Sequence, residues 1–289
     1  MGPHGDYVGG LGQGDFRVLD DGEERPIVAF SPVEAPARVL VMIETSPAVY
    51  LVRDQHLAAA YALVGGLDPA DEVGLVAYDE APRVLLSFTT NQSALLAALN
   101  TLQYTLGAGD LNFYDSLSAA LDWMKESQSK NALVLLTTGL DSSPPSRWES
   151  LRVKLRGTDT VIFPVALGGT LGGPGQTRKA KRSKSRWSAS ETPPADRPAV
   201  FAKSDAALLE IARMTGGRAY FPESGADFDV IYRNIASALR HQYLLGIAPA
   251  HDGRFHALTV EVSETGKGGA GKKPAYRVFA RQGYQAPGP

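Results

Sequence analysis

The sequence predicts an α/β fold built on a doubly wound, mostly parallel sheet, and two observations support that prediction. The first is a pair of continuous apolar runs at residues 39–43 and 132–136. Such runs are typical of strands that are covered on both faces in a parallel sheet. The second is the alternation of strand-like segments with helical segments of about 10 to 15 residues, which indicates crossover units.

The elements of the α/β region are predicted in order from their hydrophobic periodicity. After the first buried strand, the pattern predicts a helix at 54–67, strands at 72–78 and 83–88, helices at 92–102 and 114–127, a strand at 132–137, a helix at 147–156 and a strand at 160–167. Helices follow at 204–214 and 226–241, with a short strand at 218–221 between them.

Both ends of the chain are predicted to form β structure. Residues 16–19 and 26–30 flank an Asp-Asp-Gly turn and predict a hairpin, while strands are predicted at 242–247, 255–262 and 276–281. Since these strands do not join a parallel sheet easily, we expect the two termini to meet in a small antiparallel β domain. The expected boundaries are 1–32 for the N-terminal hairpin, 33–242 for the α/β domain and 243–289 for the C-terminal strands.

The composition of the 289-residue chain narrows the chemistry available to it. Hydrophobic residues make up 44% and charged residues 21%, as in ordinary globular proteins. With 29 Lys and Arg against 31 Asp and Glu, the net charge is -2, which argues against a dedicated binder of nucleic acids or anionic membranes. The absence of cysteine excludes disulfide scaffolds and thiolate nucleophiles.

Residues 168–198 interrupt the pattern and are interpreted as a flexible insertion. They begin with a Gly-rich stretch, and six of the nine residues at 178–186 are basic. A solvated flexible arm is the favoured interpretation, and a patch for nucleic acid or an acidic partner is the alternative. No apolar run approaches the roughly 20 residues that a membrane-spanning helix needs, and the start of the chain shows no export signal, so we expect no membrane insertion.

Ligands of open α/β sheets bind beyond the carboxyl ends of the strands, where the strand order reverses. Residues 44–48 (Glu-Thr-Ser-Pro-Ala) follow the first buried strand, and residues 137–141 (Thr-Thr-Gly-Leu-Asp) follow the second. Between them, residues 107–115 lead into a helix. These three loops are therefore the predicted binding region.

At these loops the chain resembles the von Willebrand factor A family, and more closely the bacterial VWFA-related proteins described mainly from acidobacteria. Residues 15–22, 215–218, 242–246 and 281–284 support the resemblance. It implies a Rossmann-like α/β fold and a role in binding a protein partner rather than in catalysis. It also implies an extracytoplasmic location, periplasmic or secreted, because many relatives look exported.

The hallmark of the family is a metal-ion-dependent adhesion site, in which a D-x-S-x-S loop, a Thr and an Asp surround Mg²⁺. Glu44 stands at the position of the first Asp, and Ser46 matches the first serine. Ala48 replaces the second serine, Leu111 falls at the Thr position, and Thr138 replaces the last Asp. Mg²⁺ prefers six oxygen ligands in octahedral order. We therefore predict a degenerate, metal-free site and no cofactor, with weak Mg²⁺ or Ca²⁺ binding as the minor alternative.

Two further functional alternatives remain at this point. A rearranged Mg²⁺ or Ca²⁺ site could recruit Asp110, Asp115 or Asp141 beside Glu44, and a one-residue shift could bring Asn112 inward. A cryptic hydrolase would need a serine, a histidine and an acid that converge only in space.

The predicted partner-binding surface lies on the same three loops. Tyr50, Phe113 and Tyr114 either present their rings to a partner or pack beneath the loops. The surface consists of Glu44, Ser46, Tyr50, Asn112, Phe113, Thr138 and Asp141.

Overall fold

The computed structural model describes residues 1–2, 7–33, 35–106, 109–125, 130–169, 193, 199–263 and 276–288. The basic stretch 178–186, with its predicted role, lies outside the described residues.

The strands are β1 (Phe16–Asp20), β2 (Glu23–Arg25), β3 (Ile27–Val33), β4 (Arg38–Glu44), β5 (Glu72–Tyr78), β6 (Pro82–Thr89), β7 (Asn131–Thr137), β8 (Val161–Ala166), β9 (Gln242–Ile247), β10 (Phe255–Val262) and β11 (Gly283–Gln285). The helices are α1 (Arg53–Gly66), α2 (Gln92–Asn100), α3 (Phe113–Met124), α4 (Pro145–Arg156), α5 (Ala202–Thr215) and α6 (Phe228–Arg240).

The central sheet has five strands in the order β6-β5-β4-β7-β8. Strand β4 pairs in parallel with both β5 and β7, β7 pairs in parallel with β8, and only β6 runs antiparallel. The chain moves outward from β4 to β6 and then returns to the other side of β4 for β7. The doubly wound, mostly parallel sheet is thus confirmed, and its strand order reverses beside β4.

Helices cover both faces of the central sheet, which explains why the sequence of β4 contains an unbroken apolar run. Val39, Val41 and Ile43 pack on one face of the sheet, in a core shared with α1, α2 and α6. Leu40 and Met42 pack on the other face, in a core shared with α3, α4 and α5. All five side chains are buried, so each face of β4 needs apolar residues.

The two ends of the chain meet in antiparallel sheet structure, as predicted. One sheet has the order β11-β10-β1-β2, and a separate two-stranded sheet joins β3 to β9. Within the first, Phe16 pairs with Val262 and Asp20 with Leu258. The division of the chain at residues 32 and 242 stays a prediction.

Two predicted strand arrangements at the termini are wrong. Residues 26–30 do not pair with β1, because Pro26 has no N–H to continue the ladder after the short β2. Residues 27–30 instead lie in β3, which pairs with β9. Residues 276–281 form no strand. Arg281 instead donates to the carbonyl of Arg156 and pairs with Asp159, which directs this segment toward the α/β region. The last strand is β11.

The short strand predicted at 218–221 is also wrong, since it is reduced to a single parallel bridge between Val165 and Tyr220. The outer edge of β8 offers few donors for a longer ladder. Pro164 has no N–H, and the N–H of Ile162 donates to the hydroxyl of Thr215. The N–H of Ala166 donates to the carbonyl of Tyr220 at 2.8 Å, and the N–H of Tyr220 donates to the carbonyl of Pro164 at 2.8 Å.

Across the described part of the chain, we find no helix that combines the length and the apolar character needed to cross a membrane.

Candidate functional site

Glu44 lies at the carboxyl end of β4, where the strand order reverses, and its side chain is completely buried. Its Oε1 accepts a hydrogen bond from the Ser46 hydroxyl at 2.6 Å. Its Oε2 is 3.1 Å from the hydroxyls of both Tyr78 and Thr137. Residues from β5 and β7 therefore converge on a carboxylate of β4.

The loop after β7 makes the closest contacts with this carboxylate. The backbone N–H of Thr138 donates to Oε2 of Glu44 at 2.6 Å, and the Thr138 hydroxyl lies 2.9 Å from Oε2 and 3.0 Å from Oε1. The carboxylate thus joins the β4 loop directly to the β7 loop. The additional methylene of glutamate, compared with the Asp of the adhesion-site motif, provides this reach.

Two opposing effects act on the protonation of Glu44. Burial raises its pKa because the charged form loses its hydration, and the bonds from Ser46, Thr138 and Tyr78 oppose that rise without cancelling it. Burial likewise raises the pKa of Tyr78 well above its ordinary value. Tyr78 and Thr137 also bond to each other at 2.6 Å. The result is a closed network of hydroxyl groups around one buried carboxyl group.

The two apolar positions of the motif, Ala48 and Leu111, carry no side-chain oxygen. Ala48 is half-buried, and Leu111 is buried in the core beside α3. The backbone of Leu111 bonds instead to Ser142: its N–H donates to the Ser142 hydroxyl at 3.1 Å, and its carbonyl accepts from the Ser142 N–H at 2.8 Å. Leu111 therefore holds two loops together through its main chain.

The structure does not bring together the acids of the rearranged ion site. Asp141 accepts from the N–H groups of Tyr114 and Ser143 at 2.8 and 2.7 Å, so it caps the start of α3. Asp115 pairs with Arg147 at 3.4 Å, and Asp110 is exposed. In the described ranges, these acids form no group of three ligand atoms with Glu44.

The aromatic residues of the predicted surface divide into buried and accessible groups. Phe113 is completely buried, with its ring centroid 5.9 Å from that of Tyr78, and Tyr114 packs 5.1 Å from Trp148. Both rings therefore lie beneath the loops. Tyr50 is half-buried, and the Arg53 guanidinium lies 4.6 Å from its ring centroid.

Burial also limits which predicted surface residues can touch a partner. Glu44, Ser46 and Thr138 are buried, as is Phe113. Tyr50, Asn112 and Asp141 keep partial exposure. Asn112 is held in place because its side-chain amide donates to the carbonyl of Glu80 at 2.8 Å.

Sequence reasoning missed a second polar group at the same edge, after β5. Asp79 accepts from Arg83 at 2.6 Å and from the Thr105 hydroxyl at 2.6 Å, and Arg83 also donates to the Thr45 hydroxyl at 3.0 Å. Burial raises the pKa of Asp79, but the bonds from Arg83 and Thr105 outweigh it, so the pKa lies below its ordinary value. The signal was available, because Asp79 directly follows a parallel strand. The half-exposed Arg83 places a cation beside the loops.

The hydrolase alternative gains no support from the histidine and serine side chains of the described segments. The Ser237 hydroxyl lies 3.5 Å from Nδ1 of His241, but Ser237 lies in the last turn of α6 and His241 directly follows that helix. This Nδ1 also lies 2.8 Å from the Ser237 carbonyl. The pair is therefore explained as a feature of the helix end.

Comparison with protein-family models matches residues 39–141 to the von Willebrand factor type A domain. The matched segment runs from β4 to the loop after β7 and includes Glu44, Leu111 and Thr138. Comparison with curated protein sequences gives no match. The closer resemblance to acidobacterial proteins stays a prediction.

Three solved structures illustrate the similarity. A von Willebrand factor type A protein from Catenulispora acidiphila is 16% identical, with 82% of this chain and 51% of that chain covered and a TM-score of 0.49. The conserved hypothetical protein BatB from Bacteroides thetaiotaomicron is 13% identical, with 70% and 98% covered and a TM-score of 0.46. The N-terminal domains of the type V pili tip protein Mfa5 from Porphyromonas gingivalis are 19% identical, with 40% and 23% covered and a TM-score of 0.34. This chain thus spans about a quarter of the pili tip structure and about half of the Catenulispora structure.

Proposed function

We propose, from the match of residues 39–141 to the von Willebrand factor type A domain, that the chain is a non-enzymatic, adhesion-like module that binds a protein partner without a metal ion. The proposal that binding needs no metal ion rests on the position of the Glu44 carboxylate. It bridges the β4 and β7 loops directly and accepts hydrogen bonds on both oxygens. A carboxylate that is committed to buried hydroxyl and N–H donors is poorly placed to serve as an ion ligand.

The partner would contact the accessible groups around this network. Tyr50 offers a half-buried ring, Asn112 and Asp141 offer polar groups with restricted positions, and Arg83 offers a cation. Aromatic and arginine side chains contribute strongly to protein interfaces. The extracytoplasmic location, periplasmic or secreted, stays a prediction, as does the identity of the partner.

Site-specific photo-crosslinking tests the binding surface. A photoreactive phenylalanine at position 50 should capture a discrete protein from an extract of the source organism, because that position directly follows the β4 loop and is partly exposed. The matched control is the same group at Val153, which is 68% exposed on α4. We expect an adduct from position 50 alone, in equal yield in EDTA and in Mg²⁺. Equal adducts from both positions would contradict the surface, and an adduct that requires Mg²⁺ would contradict the metal-free mechanism.

Calorimetric titration with Mg²⁺ and Ca²⁺ tests the degenerate site independently of any partner. We expect no saturable heat from the wild-type chain. The triple variant Glu44→Asp, Ala48→Ser, Thr138→Asp should bind Mg²⁺, because it adds one carboxylate and one serine hydroxyl and so completes a set of two carboxylates and two serine hydroxyls on loops that already lie together. Saturable Mg²⁺ binding by the wild type that disappears in Glu44→Ala would instead establish the rearranged-site alternative.

A further inference from the structure

A second cluster of potential ligands lies far along the chain from Glu44, where the two termini pair. Asp20 ends β1, Asp21 begins the turn, and His256 lies on β10. Nδ1 of His256 is 2.9 Å from Oδ1 of Asp20 and 3.0 Å from Oδ2 of Asp21. Asp20 and His256 are buried, whereas Asp21 is exposed, so the cluster has an open side.

The spacing of these atoms is short enough for one metal ion to be shared, because one ligand atom of each side chain lies within 4.8 Å of the other two. Two ligands about 2.1 Å from a metal are separated by about 3.0 Å in six-coordinate geometry and by about 3.4 Å in tetrahedral geometry. The two distances from Nδ1, 2.9 and 3.0 Å, lie at the short end of this range. An imidazole nitrogen carries at most one proton, yet here two carboxylate oxygens approach the same nitrogen.

The carboxylate oxygens of Asp20 and Asp21 that do not face His256 accept hydrogen bonds from neighbouring residues. Oδ2 of Asp20 accepts from the Tyr284 hydroxyl at 3.1 Å, and Oδ1 of Asp21 accepts from the N–H of Ala257 at 2.9 Å. Metal-binding histidines and carboxylates are commonly oriented by contacts of this kind. The arrangement leaves one atom of each side chain directed toward the others.

Asp252 provides the corresponding contact for the histidine. Its Oδ1 lies 3.1 Å from Nε2 of His256, and its position is fixed by the backbone N–H and the guanidinium of Arg254. A carboxylate on Nε2 stabilises the tautomer that presents the Nδ1 lone pair to a metal ion.

We propose that Asp20, Asp21 and His256 bind a divalent transition-metal ion of the Zn²⁺ class, with water completing the coordination. Imidazole together with carboxylates suits Zn²⁺ better than it suits Mg²⁺. The ion joins β1 to β10 and therefore stabilises the junction of the two chain ends. Binding displaces any proton from Nδ1 into solvent.

Titration of the untagged chain with Zn²⁺ tests this site. We expect one equivalent to bind the wild type and to raise its melting temperature. His256→Ala should lose both effects, and Asp252→Asn, which keeps all three ligands, should weaken binding by about 10- to 100-fold. His251→Ala is the matched control, since His251 is an exposed histidine of the same segment. Glu44→Ala should leave the Zn²⁺ stoichiometry unchanged, which separates this site from the proposed function.

Nitrogen NMR of the histidine rings provides a readout that does not depend on the stability of any variant. Zn²⁺ should shift Nδ1 of His256 selectively among the five histidines. Equal Zn²⁺ binding by the wild type and His256→Ala, or a His256 ring that does not respond to one equivalent of Zn²⁺, overturns the proposal. Either result would mean that a proton alone bridges the two carboxylates.

Discussion

Replacement of Glu44 by alanine is expected to lower the free energy of unfolding by about 3 kcal/mol. The change leaves the buried N–H of Thr138 and the Ser46 hydroxyl without their acceptor, and each buried unsatisfied group costs about 1 to 3 kcal/mol. It also leaves a cavity between the two loops. Urea unfolding of the purified variants, followed by circular dichroism, measures the difference.

Glu44→Gln is the matched control for this prediction. Its remaining carbonyl oxygen can accept from Thr138, and its amide can donate to the Ser46 hydroxyl, so we expect less than half of the loss. Neither variant should respond to Mg²⁺. A wild-type chain whose stability rises with Mg²⁺, with no such rise in Glu44→Ala, would contradict the role assigned to the carboxylate.

The effect of Glu44→Ala should also depend on pH. Because burial raises the pKa of Glu44, its stabilising contribution is complete below the ordinary value of 4.5 and declines as the pH rises through the folded-state pKa. The difference between the wild type and Glu44→Ala should therefore be largest in acid and should narrow toward neutral pH.

A second large effect is expected from His56, which is buried in α1. Burial lowers the pKa of His56 from 6.5 to about 3. As the pH falls, the His56 imidazole therefore stays unprotonated in the folded chain but takes up a proton in the unfolded chain. The contribution of His56 is therefore complete above pH 6.5 and is lost as the pH falls. At 1.36 kcal/mol per pH unit, the loss between pH 6.5 and about 4.5 is roughly 2 to 3 kcal/mol.

Unfolding in urea across this pH range, with and without His56→Gln, measures the contribution. The glutamine cannot titrate, so the variant should lose less stability in acid than the wild type does. His251→Gln changes an exposed histidine and should retain the wild-type pH dependence. Parallel pH curves for the wild type and His56→Gln would show that His56 is protonated within the fold and would contradict the prediction.

The central sheet could be predicted because its signal is local. Each side chain of β4 meets an apolar layer, so the run from Val39 to Ile43 reflects burial directly. The errors fell where pairing depends on distant residues. No sequence pattern near residues 276–281 indicates that Arg281 pairs with Asp159. Likewise, the missing N–H of Pro164 limits the pairing of residues 218–221, which lie more than 50 residues further along the chain.

The candidate site was predictable in position but not in geometry. The motif correctly placed Glu44 and Thr138 at the ends of adjacent strands, yet it could not show that the longer carboxylate contacts the Thr138 N–H directly. The contact between Asp20 and His256 could not be predicted from the sequence, for a different reason. It depends on the register of β1 against β10, which no local pattern specifies.

The pairing of β1 with β10 also constrains the order in which the chain folds. Residues 38–240 hold the five strands of the α/β sheet and the helices α1 to α6, and these can assemble during synthesis before β9 and β10 leave the ribosome. Strand β3 must wait for β9, and the edge of β1 that does not pair with β2 stays unpaired until β10 is made. Pairing at such long sequence separation is slow, and unpaired strand edges promote aggregation. Closure of these antiparallel sheets is therefore a late and vulnerable step in the folding of the chain.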